Sequence, residues 1–188
     1  MAHISSLSAG IYTYLDIHTI VPLDETTTAA EYAALFVGSV PGTADVADGD
    51  VSGVPEHYRI PSVREFPSIG TPANIVNVPV YGQPTSSQVQ GQADAPNLEI
   101  TINYVPADSI ELSLLIGKSV TFRFLMTDSA CTPDESASAT LDKNNTEFYF
   151  KGKVEALLVN PALTDATTAN LTLSIQSDFI GPATIAAS

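Results

Sequence analysis

The run Leu98-Glu-Ile-Thr-Ile-Asn-Tyr104 begins the part of the chain that decides the fold, residues 97–179. Its apolar residues alternate with polar ones, and this period of two is typical of a strand with one dry face and one wet face. The same alternation returns in three later runs, at 120–126, 147–155 and 170–178. Four such strands predict a sheet that carries a core, since burying each large apolar side chain stabilises the fold by roughly 1.5–3 kcal/mol.

A short helix is expected between the first two of these strands. Asp108 is expected to cap its start, with Glu111 three residues later as in a capping box. Gly117 suits the position just past the helix end, where a positive φ is needed. The apolar residues of this segment are too many to be exposed in a monomer, and we expect them to be covered: Ile110, Leu112, Leu114, Leu115 and Ile116.

Four strand segments carry a resemblance to a known family. They are Leu98-Glu-Ile-Thr-Ile-Asn-Tyr104, Thr121-Phe-Arg-Phe124, Phe148-Tyr-Phe-Lys-Gly-Lys-Val154 and Ala169-Asn-Leu-Thr-Leu-Ser-Ile175, with the short helix after the first. In order and texture they resemble the major tail proteins, or tail tube proteins, of long-tailed bacteriophages with non-contractile tails, the lambda-type family. The resemblance covers the second half of the chain well and the first half loosely.

The resemblance implies a mainly β chain, a β-sandwich or barrel with one short flanking α-helix, an N-terminal arm and long loops. It implies six-membered rings in which neighbouring sheets join into a ring-closed β-barrel, and stacking of the rings into a hollow tube. The expected partners are further copies of the chain, a tape-measure protein, and tail terminator and distal tail proteins, with DNA only as passing cargo. The expected location is the virion tail, after synthesis in the host cytoplasm, with no cofactor and no membrane.

The chain of 188 residues is expected to form a single domain. Its parts are an N-terminal arm and first strand at 1–24, a loop-rich segment at 41–97, and the main sheet, helix and hairpin loop at 98–179. Residues 26–34 are ambiguous, because their alanines suit the start of a helix. The run Leu35-Phe36-Val37 before Gly38 predicts a strand that ends at a turn.

The loop-rich segment contains eight prolines between Pro41 and Pro96. Because proline cannot donate a hydrogen bond to a strand ladder, we expect only short edge strands there, at Ile75–Tyr81 and Gln88–Asp94. A long loop-rich segment in a compact domain is usually functional. We therefore expect it to fold over a neighbouring subunit.

The charge balance excludes one class of function. The chain has 7 Lys and Arg against 21 Asp and Glu, a net charge of −14, whereas nucleic-acid binding needs clustered basic residues. Its single cysteine, Cys131, cannot form an internal disulfide and is expected to be a spectator thiol in a reducing cytoplasm. Residues 1–10 do not resemble a secretory signal, and no apolar run of the sequence is long enough to span a bilayer.

The sequence contains no pattern typical of an enzyme, since the nucleophile-elbow, Walker and dinucleotide-binding motifs are missing. The run Asp48-Gly-Asp50-Val-Ser52-Gly53 matches the opening of a calcium loop, but Arg59 stands where an EF-hand has a bidentate Glu. An acidic turn is the favoured interpretation. The histidines have no suitably spaced partner for zinc, so no metal site is expected.

Two hypotheses of different classes remain. The first is a self-assembling structural subunit of a tail tube. The second is a monomeric β-sandwich that binds carbohydrate or decorates a virus or cell surface. A carbohydrate module usually exposes aromatic rings for stacking on sugars, but this chain has no Trp, and most of its Phe and Tyr residues follow the strand pattern. This favours the structural subunit.

The wet face of the sheet is the candidate lining of a DNA channel, because carboxylates and hydroxyls do not hold phosphates. The predicted lumen-facing residues are Glu99, Thr101, Asn103, Glu147, Glu155, Thr172, Ser174 and Asp178, opposed by Arg123, Lys151 and Lys153. The alternative is that they face solvent on the outside, where acidity serves solubility.

The hairpin loop at 127–146 is the candidate contact between rings. Its predicted contact residues are Asp128, Asp134, Glu135 and Asp142. Because the loop has little apolar content, we expect it to be disordered in the free subunit and ordered only against the next ring.

Overall fold

The computed structural model describes residues 12–22, 28–42, 55–70, 75–79, 81–82, 87–90, 97–139, 141 and 145–183. Within them the strands are β1 Thr13–His18, β2 His57–Arg59, β3 Val63–Glu65, β4 Ile75–Val78, β5 Ser87–Gln90, β6 Asn97–Asn103, β7 Ser119–Thr127, β8 Asn145–Asn160, β9 Thr168–Ile175 and β10 Ile180–Ala183. The helices are α1 Ala29–Phe36, α2 Pro106–Leu114 and α3 Pro133–Ser136. The predicted mainly β fold is confirmed, with short helices in addition to the expected one.

One antiparallel sheet runs in the order β2-β1-β7-β8-β9-β6-β3, and β10 pairs with β8. The two strands at its ends, β2 and β3, are consecutive in the chain, with only residues 60–62 between them. The Ile60 N–H donates to the Leu15 carbonyl of β1 at 2.9 Å. On the other side, the Asn103 N–H of β6 donates to the Ser62 carbonyl at 3.0 Å. The sheet therefore curls into a half-barrel whose two edges are linked by this bend, where Ser62 has a φ of 56°.

One side of the curled sheet carries the main core. Phe150 lies at its centre, stacked on Phe122 at a ring distance of 4.9 Å and 6.0 Å from Phe124. Gly152 leaves room for these rings, because a Cβ there would lie 3.0 Å from the Phe122 ring. Helix α2 contributes Leu112 to this core, and Leu115 follows directly after the helix. The aliphatic members of the core are Leu15, Ile17, Ile60, Leu98, Ile100, Ile102, Leu112, Leu115, Val120, Val154, Ala169, Leu171 and Leu173.

The other side of β1, β7 and the first half of β8 is also covered. Helix α1 packs Tyr32 and Phe36 against Tyr149 of β8, and the Tyr32 and Tyr149 rings stack at 5.7 Å. A smaller cluster lies under the hairpin between β7 and β8 and consists of Leu125, Cys131 and Leu141, with Tyr14 against it. These strands are therefore buried on both faces, whereas β6 and β9 keep one polar face.

Helix α2 begins earlier than the sequence predicts. Its N-cap is Val105, which makes no side-chain capping bond, so the prediction that Asp108 caps the helix is wrong. Asp108 instead lies in the first turn, where a negative charge suits the helix dipole. Gly117 adopts the predicted positive φ, at 82°. The single chain covers Leu112 and Leu115 but leaves Ile110, Leu114 and Ile116 exposed by 64%, 42% and 42%.

The first half of the chain differs most from expectation. Residues 35–37 do not form a strand, because 29–36 form α1, which a reciprocal capping box between Thr28 and Glu31 fixes at its start. Strands β2 and β3 were not expected in the proline-rich segment. Strand β4 lies within the first predicted edge strand, and β5 overlaps the second but begins one residue earlier. Residues 91–94 of the second prediction lie outside the described residues. The predicted N-terminal arm before β1 lies outside the described residues, apart from Tyr12.

Candidate assembly surfaces

Asp16 is the centre of a buried ionic cluster on the covered side of β1. Its carboxylate accepts from Arg123 Nη2 at 2.6 Å and from Arg59 Nε at 2.8 Å. The His57 imidazole lies 3.7 Å from the same carboxylate. Burial alone would raise the pKa of Asp16, but the two guanidiniums and the imidazole outweigh it and hold that pKa well below its usual range. Asp16 is therefore ionised wherever the protein is folded at ordinary pH.

The same two arginines hold the hairpin between β7 and β8. Arg123 Nη1 donates to the Ser136 carbonyl at 3.1 Å. Arg59 Nη1 donates to the Cys131 carbonyl at 3.0 Å, and the Cys131 N–H donates to the hydroxyl of Tyr14 at 3.0 Å. These bonds reach backbone atoms, so they fix the path of the hairpin whatever side chains it carries.

The expectation that this hairpin is disordered in the free subunit is wrong for its described part, residues 128–139 and 141. A capping box between Thr132 and Glu135 starts α3, and the buried arginines supply the hydrogen bonds that the sequence pattern did not reveal. Three of the predicted contact residues are exposed, namely Asp128, Asp134 and Glu135. The fourth, Asp142, lies outside the described residues. The Glu135 carboxylate is already used by the cap.

Replacing Asp16 by Asn should destabilise the fold by about 3–5 kcal/mol, because it leaves buried guanidiniums without a countercharge. Urea unfolding followed by circular dichroism measures the loss. The control is Glu155→Gln, which breaks an exposed pair with Lys153 and should cost less than about 1 kcal/mol. Equal losses in the two variants would show that the Asp16 cluster does not anchor the fold.

Glu147 also lies on the covered side and is fully buried. Its carboxylate accepts from Asn145 Nδ2 at 3.2 Å and from the hydroxyl of Tyr149. Burial raises the pKa of Glu147 to about 7, although Arg123 opposes the rise. The prediction that Glu147 and Arg123 belong to the wet face is therefore wrong, because α1 and the hairpin cover this part of the sheet.

The raised pKa of Glu147 makes the free energy of unfolding depend on pH. The folded protein keeps this proton up to about pH 7, whereas the unfolded chain releases it near 4.5, so the contribution of Glu147 to stability falls as pH rises through this window. His18 acts in the opposite direction between about 4 and 6.5, because burial lowers its pKa to about 4.

Comparison of Glu147→Gln with the wild type cancels the contribution of His18. From pH 5 to pH 8 the variant should gain about 2 kcal/mol relative to the wild type, since one pKa unit corresponds to about 1.4 kcal/mol. Chemical denaturation of both proteins at several pH values measures this gain. A difference that does not change with pH would contradict a raised pKa for Glu147.

The polar face of the sheet consists of β6 and β9 together with Lys153 and Glu155 of β8. Further along β8 this face becomes apolar, because Ala156 and Leu158 lie opposite Thr172 and Asn170. Side chains of directly opposite residues in neighbouring strands share a face. Glu99 of β6 lies opposite Thr172 of β9, and Thr101 lies opposite Asn170. Asn103 continues the row and is exposed. The structure therefore brings four of the predicted lumen residues together on one face: Glu99, Thr101, Asn103 and Thr172.

Glu155 lies at the irregularity in the pairing of β8 with β9. It accepts from Ser174 Oγ at 2.7 Å and from Lys153 Nζ at 3.2 Å, and these bonds lower its pKa. Ser174 and Lys153 are cross-strand partners, so this cluster extends the polar face. Asp178 is exposed but follows β9, outside the row. Lys151 is half-buried further along β8.

Exposed apolar residues are concentrated on three elements. Strands β4 and β5 form a separate two-stranded sheet, which exposes Ile75, Val76, Val78 and Val89 by 42–59% and the adjoining Tyr81 fully. The second element is the outer face of α2 described above. The third is the hairpin between β8 and β9, which exposes Leu158, Val159 and Leu163. Sequence periodicity missed the first and third of these surfaces, because alternation alone does not show whether a strand projects from the body.

Within the described part of the chain, no three His, Cys, Asp or Glu side chains are grouped so that they could hold a metal ion. The calcium-like run at 48–53 lies outside the described residues. None of the described helices is long and apolar enough to cross a membrane.

The chain is similar to one in the cryo-EM structure of the anti-feeding prophage baseplate, 6-fold symmetrised, with 7% identity and a TM-score of 0.56, covering 94% of this chain and 95% of that one. It also aligns with the crystal structure of an Hcp protein over 87% of both chains, with 11% identity and a TM-score of 0.34. No family model matches the sequence, and neither does a curated protein. The chain therefore shares its fold, from end to end, with a chain of the baseplate structure.

Proposed function

We propose that this chain is a structural subunit of a phage-tail-like tube, which self-assembles into stacked, six-membered rings through which DNA is delivered. The observation that carries the proposal is the end-to-end likeness to a chain of a baseplate solved with 6-fold symmetrisation. A tape-measure protein would fill the channel during assembly, and tail terminator and distal tail proteins would close its ends. The chain would then be part of the virion.

The exposed apolar elements support self-association. An isolated two-stranded sheet is at best marginally stable in water, so the sheet of β4 and β5 would gain from a neighbouring subunit. Each square ångström of apolar surface covered contributes about 25 cal/mol. The elements differ from one another, and contacts between unlike surfaces form closed rings or continuous fibres.

The polar face of β6 and β9, which Glu155 of β8 extends, supports the channel. A channel for DNA must not retain phosphates, which basic residues bind. The row from Glu99 to Asn103 presents a carboxylate, a hydroxyl and an amide. Lys153 lies at its end, but the Glu155 carboxylate pairs with it at 3.2 Å.

Purified protein should form rings or tubes, because its exposed apolar elements are unlike surfaces that one subunit alone cannot cover. Analytical ultracentrifugation over a range of concentrations, with negative-stain electron microscopy, measures this. A single monomeric species at every concentration would overturn the proposal. If that monomer bound glycans, it would instead be a surface-decorating module.

Changing both Glu99 and Glu155 to Lys should leave tubes intact but slow genome ejection through them, because the new charges attract passing phosphates. The effect should shrink as salt rises, since screening limits each charge to about 8 Å at physiological ionic strength. The measurement is the rate of genome ejection from assembled particles at several salt concentrations. The matched control changes both residues to Gln, which removes negative charge without adding a phosphate-binding group. Unchanged ejection from intact Lys-containing tubes would show that the two residues do not line the channel.

A further inference from the structure

An open cleft of about 750 Å³ lies where β1 and β3 separate at the linked edges of the half-barrel. Strand β2 pairs with residues 16–18 of β1, and Ile60 bonds to the Leu15 carbonyl, which leaves residues 13–14 of β1 beside the cleft. Strand β3 is the last strand of the sheet and pairs with β6 alone among the described strands. The cleft therefore lies between two short strand edges, the kind of site to which an extended segment can add.

The walls of the cleft are apolar with one uncommitted positive charge. Pro61, Val63 and Phe66 are half-buried and contribute apolar surface. Arg59 also lines the cleft, but it is bound to Asp16 and to the hairpin. Arg64 is exposed and makes no hydrogen bond or ion pair with the described residues. The cleft thus suits an extended segment that carries a large aliphatic side chain and a carboxylate.

The hairpin between β8 and β9 offers such a segment. Its tip, residues 161–167, contains Leu163, which is fully exposed and so does not fill the cleft of its own chain. Asp165 follows two residues later and is exposed, and its carboxylate accepts one hydrogen bond, from the N–H of Ala166 at 2.7 Å. The turn after β4 exposes Tyr81 to the same degree, but its described residues, 81–82, carry no carboxylate.

We propose that the tip of the β8–β9 hairpin of one copy docks in the cleft of a second copy, with Leu163 on the apolar wall and Asp165 paired with Arg64. The proposal rests on the self-association proposed above and names one of its contacts. The tip and the cleft are different surfaces of the chain, so the contact is head-to-tail and repeats from copy to copy.

A charge swap tests the proposed pair. Arg64→Glu and Asp165→Arg should each weaken self-association by about ten-fold, and the double variant should restore it, because the pair is re-formed with its charges reversed. Sedimentation measures association, and circular dichroism with thermal unfolding checks that each variant folds. The matched control is Lys118→Glu, which reverses another exposed charge away from the cleft and should leave association unchanged. Failure of the double variant to recover, or single variants that associate like the wild type, would overturn the proposal.

A second experiment separates this contact from tube formation. A fluorescent peptide of residues 158–168 is titrated with full-length protein and followed by anisotropy. It should bind the wild type, and binding should weaken about ten-fold with Arg64→Glu or with a peptide carrying Leu163→Ala. Binding without tubes would retain the contact and overturn the proposed function. Tubes that form although the peptide does not bind would retain the proposed function and overturn the contact.

Discussion

The structure depends on the ion pairs that the Asp16 carboxylate makes with Arg123 and Arg59. They support a second layer, made of α1 and the hairpin between β7 and β8, which covers one side of the sheet. Asp16 lies directly opposite Arg123 in the pairing of β1 with β7, and taking such a pair out of water costs several kcal/mol per ion. The remaining guanidinium donors offset this cost by binding the hairpin backbone. Arg123 also lies 4.4 Å from the ring centroid of Phe36, which fixes α1. One ion cluster thus holds two segments that no strand ladder reaches.

This second layer divides the sheet into two parts with different roles. Strands β1 and β7 are covered on both faces, so their side chains are committed to stability. Strands β6 and β9 keep a polar face that other molecules can meet. The bend at Pro61 and Ser62 links the edges of the sheet and leaves only short free lengths of β1 and β3, which limits unwanted pairing between chains. Contacts between copies therefore depend on projecting hairpins and on this one short opening.

Alternation of apolar and polar residues was sufficient to predict β6 to β9, because each buries a continuous row of side chains. It could not predict the environment of Arg123 and Glu147, since a period of two identifies a dry face but does not show whether the other face is covered. Helix α1 was left open at 26–34 and its end was mispredicted, because residues 35–37 resemble a strand locally. The capping box at 28–31 was a usable signal for the helix. Strands of three residues, such as β2 and β3, have no periodicity to detect. A carboxylate at position 16, between Leu15 and Ile17, was an available sign of the buried cluster.

The acidity of the chain limits how its copies can attract one another. Subunits with a net charge of −14 repel, so contacts between them must be apolar or use the few basic residues. Most of the described basic residues are committed within the chain: Arg59 and Arg123 to Asp16, Lys153 to Glu155, and Lys151 to the Pro22 carbonyl. Arg64 makes no hydrogen bond or ion pair with the described residues, and it lies beside an apolar cleft and a free strand edge. Salt weakens the long-range repulsion between subunits more than it weakens an ion pair in direct contact, since screening acts beyond about 8 Å. An acidic surface and specific self-assembly are therefore compatible, because the position of one cation matters more than the total charge.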